Sequence, residues 1–327
     1  MTCGRRQVIG YLGAGAAALA LPSARADNYP DKPLKLVIGY STGGATDATA
    51  RTVGRRLEKR LGQPVVFEYK PGAGASIGAE FLARAAPSGY TIGLTDTGPL
   101  TIMPNLRKVS YDPVKDFTPL SYVCSTGLAL VVNPGLPVNS MKDLIELLKG
   151  APDHYSYASS GVGSVHHLAG ELFKSKASVQ IKHIPYRGAG PALTDLISGQ
   201  IPIMFATIGP ALPMIQSGKA RVLGVTSAHR SAALPQALTL AELGLADYDA
   251  TLRFSMVAPA GLPAPIAARL QAELKQILVD PEVIAELQKT GNDDVGPRTP
   301  AEVSELTRAD LKKWGSVIQD AKITLDT

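Results

Sequence analysis

The stretch LKLVIGYSTGGATDATARTVGRRLEKRLG, residues 34–62, decides the fold class. Residues 34–40 form an apolar run that stops at Tyr40 and read as a strand. The pair Gly43-Gly44 follows. Ala50, Val53, Leu57 and Leu61 then recur at helical spacing, with Gly62 placed to end the helix. Strand, glycine turn and helix make one βα unit.

The same alternation continues outward from this unit. Strands are expected at 65–69, 91–95, 155–159, 181–184, 201–205 and 221–226, and helices at 77–86, 165–175, 191–198 and 211–217. Ser140 with Asp143, and Thr299 with Glu302, have capping-box spacing. Repeated βα units imply an α/β fold with mostly parallel sheets and helices on both faces. Two extended apolar runs, 120–133 and 251–259, are long enough to cross between domains.

Composition narrows the class. The chain has 327 residues, 45% of them hydrophobic, enough for two domains or one large one. Residues 1–26 read as a cleaved leader: a basic start, an apolar stretch over 8–21 too short to span a bilayer, and Ala24-Arg25-Ala26 at its end. Arg5-Arg6, the Gly/Ala-rich stretch and Arg25 favour the twin-arginine route. Without that leader the chain carries 30 basic and 28 acidic residues, interleaved, so nothing points to nucleic acid. Cys3 leaves with the leader and Cys124 stands alone, which rules out an intrachain disulfide and a thiolate-pair metal site.

Four loops share one design. Residues 41–47 (STGGATD), 159–166 (SSGVGSVH), 186–195 (YRGAGPALTD) and 206–210 (ATIGP) each follow a strand, carry glycine or small hydroxyl residues, and open a helix. Such loops lie at the carboxyl ends of strands, where open α/β sheets bind ligands. Free amides at a helix start attract anions. A glycine-containing βα loop is also ordinary punctuation, and Asp47 could cap its helix as well as touch a ligand. Enzyme signatures are missing: no GxxxxGK[ST], no GxSxG, no SxxK, and GAGASIG has the wrong glycine spacing for a dinucleotide site. His166 and His167 point about 100° apart on a helix and cannot grip one metal together. One is expected near the cleft and the other packed. No metal, cofactor or catalysis is expected.

The segments YPDKPLKLVIGYSTGGATDATAR, LGQPVVFEYKPGAGASIGAEFLARAAPSGYT, YDPVKDFTPLS, YASSGVGSVHHLAGELFK, IPYRGAGPALTDLISGQI and VAPAGLPAPIAARL resemble, in order and spacing, the solute-binding proteins of tripartite tricarboxylate transporters, the Bordetella uptake gene (Bug) family. The resemblance implies a two-lobed periplasmic binding protein of type II topology that closes like a Venus flytrap. Lobe one is then 28–127 with 254–327, and lobe two 128–253. It implies a periplasmic monomer that captures a small organic carboxylate for a membrane permease. A sensor docking on a receptor kinase would use the same fold. Site residues carried over are Ser41, Thr42, Gly43, Gly44 and Asp47, then Thr95 and Thr97, then Ser160, Gly163, Ser164 and His166, then Thr207. Where the family commonly has two prolines, this chain has Ser41-Thr42. Where it has an acid after MF, this chain has Ala206-Thr207, and an arginine, Arg253, replaces a usual aromatic. Those exchanges imply a more anionic ligand, with Arg253 either gripping it or pairing with an acid such as Asp249 or Asp96.

Overall fold

The computed structural model describes residues 29–324. The leader expected over residues 1–26 lies outside them. In chain order the elements are β1 (Leu34–Ile38), α1 (Ala45–Leu61), β2 (Val65–Tyr69), α2 (Ser76–Ala83), β3 (Thr91–Asp96), α3 (Met103–Leu106) and β4 (Phe117–Val132). Next come α4 (Met141–Gly150), β5 (Ser156–Ser159), α5 (Val165–Ala177), β6 (Lys182–Pro185), α6 (Ala189–Ser198), β7 (Ile203–Thr207), α7 (Ile208–Gln216) and β8 (Arg221–Val225). The chain closes with β9 (Thr251–Pro259), α8 (Ala264–Leu278), α9 (Pro281–Lys289), β10 (Asp294–Val295) and α10 (Pro300–Asp320).

The strands run in the order β2-β1-β3-β9-β4-β7-β5-β6, with β8 and β10 also on β4. Each end of this order is a parallel α/β layer: β1 pairs with β2 and β3, and β5 with β6 and β7. The two layers meet on β4. From Phe117 to Gly127 β4 pairs antiparallel with β9, and from Leu128 to Val132 with β7. It can serve both because it is buried without a break from Leu120 onward. The result is the two-lobed α/β architecture of periplasmic binding proteins.

Local chemistry explains the helices that matter. In α1, Ala50, Val53, Leu57 and Leu61 all face the core, and Gly62 ends the helix in the left-handed conformation, its N–H donating to Glu58 O at 3.0 Å. Both expected capping boxes form, Ser140 with Asp143 on α4 and Thr299 with Glu302 on α10. One expected loop is absent: β7 passes into α7 at Thr207-Ile208 with no residues between.

The crossing strands are tied together by one buried hydroxyl. Thr226 Oγ1 accepts from Leu128 N at 2.8 Å and donates to Ala250 O at 2.7 Å. Its backbone bonds the same two residues. Leu128 begins the β7-paired part of β4, and Ala250 immediately precedes β9, so Thr226 fixes both chain crossings at one point. Thr226→Val keeps the shape and orphans two buried backbone groups, each worth about 1–3 kcal/mol. Denaturant unfolding of this variant is expected to show a loss of about 2–4 kcal/mol. A midpoint equal to wild type would mean the crossings are held by other contacts.

Candidate functional site

Four helix starts converge on one pocket between the layers. Gly44, Ala45 and Thr46 of α1, Ser160 and His166 at the start of α5, Ala189 of α6 and Thr207 of α7 all line it. Three of these helices lack a side-chain cap: their N-caps are Gly44, Gly188 and Thr207. Only α5 is capped, by Ser164, which accepts from His167 N. Uncapped starts leave backbone N–H groups without an intrahelical partner and carry partial positive charge.

The pocket also holds side-chain atoms with nothing to bond. Thr207 Oγ1 and His166 Nε2 are buried without partners, as is Thr95 Oγ1 on the adjoining end of β3. The other ring nitrogen of His166 lies 2.7 Å from Ser160 Oγ, which fixes the ring. Burial holds the His166 imidazole down at about 4, so it is neutral near pH 7. Asp96 completes the lining. Its carboxylate accepts from Tyr40 OH at 3.1 Å, Thr46 Oγ1 at 3.2 Å and Gly98 N at 2.9 Å. Burial nonetheless dominates these bonds and pushes it up to about 6.

The residues expected in the site divide into three groups. Ser41, Gly44, Ser160, His166 and Thr207 line the pocket together. Thr42 and Gly43 sit exposed at its rim, and Thr95 borders it. The rest are not part of that lining and make contacts within the protein. Asp47 accepts from Gly43 N at 2.9 Å, Arg51 Nε at 2.9 Å and Tyr69 OH at 2.7 Å, so it shapes the glycine turn from behind. Ser164 caps α5. Gly163 faces Met103 across the cleft, where a Cβ would collide with the Met103 sulfur. Thr97 accepts the backbone N–H of Arg253 at 2.9 Å.

Arg253 takes the second of its two expected roles, pairing with a protein acid, though a different one from those expected. Its Nη1 donates to both carboxylate oxygens of Asp310 on α10, each at 2.8 Å, in a neighbouring pocket. Neither Asp249 nor Asp96 is its partner, since Asp249 pairs with Lys313. Asp96 places one acid in the pocket lining. Asp96, Thr46 and Tyr40 went unrecognised as lining residues, although Asp96 stands between two residues that were named. His167 is packed, as expected of one of the pair, with its ring stacked 4.0 Å from that of His183. Among the described residues no group of His, Cys, Asp and Glu is placed to hold a metal ion.

One hydrogen bond links the two layers beside the pocket. Ser41 Oγ, on the β1–α1 turn, donates to Arg187 O on the β6–α6 turn at 2.7 Å. The two layers therefore touch directly over the pocket.

Comparison with known proteins gives concordant matches. The family model for the tripartite tricarboxylate transporter family receptor matches residues 49–323. BugT of Bordetella pertussis is 33% identical over 309 residues, which are 93% of this chain and 93% of BugT. The solved periplasmic binding protein BugD superposes with a TM-score of 0.87 at 30% identity, covering 90% of this chain and 99% of its own. A Rhodopseudomonas palustris protein solved with adipate gives a TM-score of 0.87 at 31% identity, covering 90% of this chain and 99% of its own. MatC of Rhodopseudomonas palustris, solved with bound malate, gives 0.85 at 29%, covering 89% and 100%.

Two outcomes follow from the site's electrostatics. Arg253→Met breaks a partly buried ion pair and should cost about 1–3 kcal/mol of stability, while carboxylate affinity stays within twofold of wild type. A tenfold loss of affinity in the folded variant would return Arg253 to the ligand. For His166, the folded pKa lies below the unfolded value of about 6.5. The unfolded chain therefore takes up a proton that the native state refuses, and stability falls as pH drops from about 6.5 to about 4. Asp96 acts in the opposite sense, but equally in wild type and variant. His166→Gln should thus show a shallower fall between those limits in pH-dependent unfolding. Identical slopes would mean that His166 is protonated in the native state.

Proposed function

Since the chain belongs to the tripartite tricarboxylate transporter receptor family, we propose that it is an exported, periplasmic solute-binding protein that captures a small organic carboxylate in this pocket and presents it to a membrane permease. It turns nothing over. The observation that carries the reading is the convergence of four helix starts, three of them uncapped, on buried Thr207 Oγ1 and His166 Nε2. A carboxylate supplies the acceptors that all of these groups lack. Each helix start contributes about 0.3–1 kcal/mol to an anion, up to about 2 when partly buried. The bound carboxylate selects the His166 tautomer with its proton on Nε2, while Ser160 serves Nδ1. Relatives solved with adipate and malate support the ligand class.

Capture works by closure. We place lobe one at 28–127 with the C-terminal segment, and lobe two between. Lobe two is 128–253, and the pairing of β9 with β4 begins at Thr251, close to that return boundary. Closing brings the helix starts of β1–α1 and those of β5–α5, β6–α6 and β7–α7 onto one ligand and excludes water, which strengthens every hydrogen bond made there. The Ser41–Arg187 bond and the Met103–Gly163 contact hold the closed form.

Thr207→Val tests this reading. It removes a buried hydroxyl that has no partner, so the unliganded protein should be as stable as wild type or more so. A carboxylate found in a thermal-shift screen that includes adipate and malate should stabilise wild type by about 2.7 kcal/mol at one hundred times its Kd. The variant should bind it about tenfold more weakly or worse, the loss of one hydrogen bond to a charged group. Undiminished affinity in Thr207→Val would place the carboxylate elsewhere.

A further inference from the structure

The acid in the pocket has no cation to answer it. Asp96 is 2% exposed, and among the described residues it makes no ion pair; its bonds come from Tyr40 OH, Thr46 Oγ1 and Gly98 N. The elements packed around it bring no net charge. His166 faces the pocket from α5 as a neutral ring. Arg253 of β9 and Asp310 of α10 share a neighbouring pocket with Asp96, but they are paired with each other. The Tyr111 hydroxyl is pushed up by burial, stays neutral and donates to Pro99 O at 2.6 Å. Among the described residues no lysine or arginine side chain lines the pocket that Asp96 shares with the helix starts, a space of about 330 Å³. In a compact space of that size a bound carboxylate lies within about 9 Å of Asp96, and two such charges at an effective dielectric of about 20 disfavour joint ionisation about twentyfold or more.

We propose that capture is proton-linked: Asp96 takes up a proton as the ligand's carboxylate settles on the helix starts, and gives it back when the ligand leaves. This rests on the carboxylate reading above and adds a control on it. The geometry singles out one oxygen. Oδ1 already accepts two hydrogen bonds, from Tyr40 and Gly98, whereas Oδ2 accepts one, from Thr46, and keeps a lone pair that can carry a proton. Thr46 stands in the first turn of α1, so Oδ2 lies beside the free amides of that helix start. Protonated there, Asp96 no longer repels the ligand. Its O–H becomes a donor to a ligand oxygen, a hydrogen bond of the strong, charge-assisted kind. Burial already pushes this carboxyl up to about 6, so an added anion has to raise it only a little further for the proton to stay near neutral pH. The liganded protein then binds the proton more tightly than the free one, so affinity for the carboxylate falls as pH rises.

Calorimetry on the folded, unliganded protein tests this with malate, adipate and any further carboxylate from the thermal-shift screen that lacks a basic group. Binding at pH 7, measured in two buffers of different ionisation enthalpy, should show uptake of about half a proton per ligand. The Kd should rise about fivefold from pH 6.5 to pH 8.5, a range in which these ligands stay ionised. In Asp96→Asn, whose amide oxygen can still accept from Tyr40 and Gly98, the uptake should vanish and the Kd should stay within about twofold across that range. His166 is the other pocket group able to take a proton, so infrared difference spectra of the wild type with isotope-labelled ligand provide a check that needs no variant to fold. Ligand binding should raise a protonated-carboxyl band that does not move with the label. Binding without proton uptake and with a flat Kd overturns the proposal and leaves the carboxylate reading standing. So does uptake that persists in Asp96→Asn, or that raises no such band. Failure of these acids and of every carboxylate in the screen to bind overturns both readings.

Discussion

Among the described residues no lysine or arginine lines the pocket, so positive potential there comes from peptide groups at the helix starts rather than from charged side chains. A helix start offers only a fraction of a charge and only within its first turn. Several must therefore end at the same level and point at the same atom. That constraint accounts for the parallel order of β1, β5, β6 and β7, since parallel strands deliver their carboxyl ends, and the helices that follow, to one edge. It also accounts for glycine at 44 and 188, where a capping side chain would have taken the amides for itself.

A site shared by two layers needs a defined joint. The layers are joined through β4 and the return into β9, and Thr226 bonds both crossings at Leu128 and Ala250. Farther out, the Arg253–Asp310 and Lys313–Asp249 pairs tie α10 to the start of β9 and to the residue just before its crossing. Arg253, a candidate for the ligand, is thus engaged in this frame.

Much of this was legible in the sequence. Glycine between an apolar run and a helical period marks a βα turn for a stereochemical reason, and the loops at 41–47 and 159–166 reach the pocket as that reasoning expects. Residues whose role depends on distant packing were less legible. Arg253 and Asp310 lie 57 positions apart, and only the docking of α10 against β9 brings them together. Asp47 looked like a candidate ligand contact because it follows the glycine pair, but Arg51 and Tyr69 claim it. Asp96 was missed because the direction of a residue at a strand end depends on register, which sequence alone does not reveal.

The central claim is that a carboxylate sits on these helix starts. A crystal structure of the protein purified from its native compartment without refolding, with the bound solute identified by mass spectrometry, tests it most directly. The expected result is a carboxylate within hydrogen-bonding distance of Thr207 Oγ1, His166 Nε2 and the first amides of α1. A solute bound outside this pocket, with Thr207 and His166 still unpartnered, would contradict it.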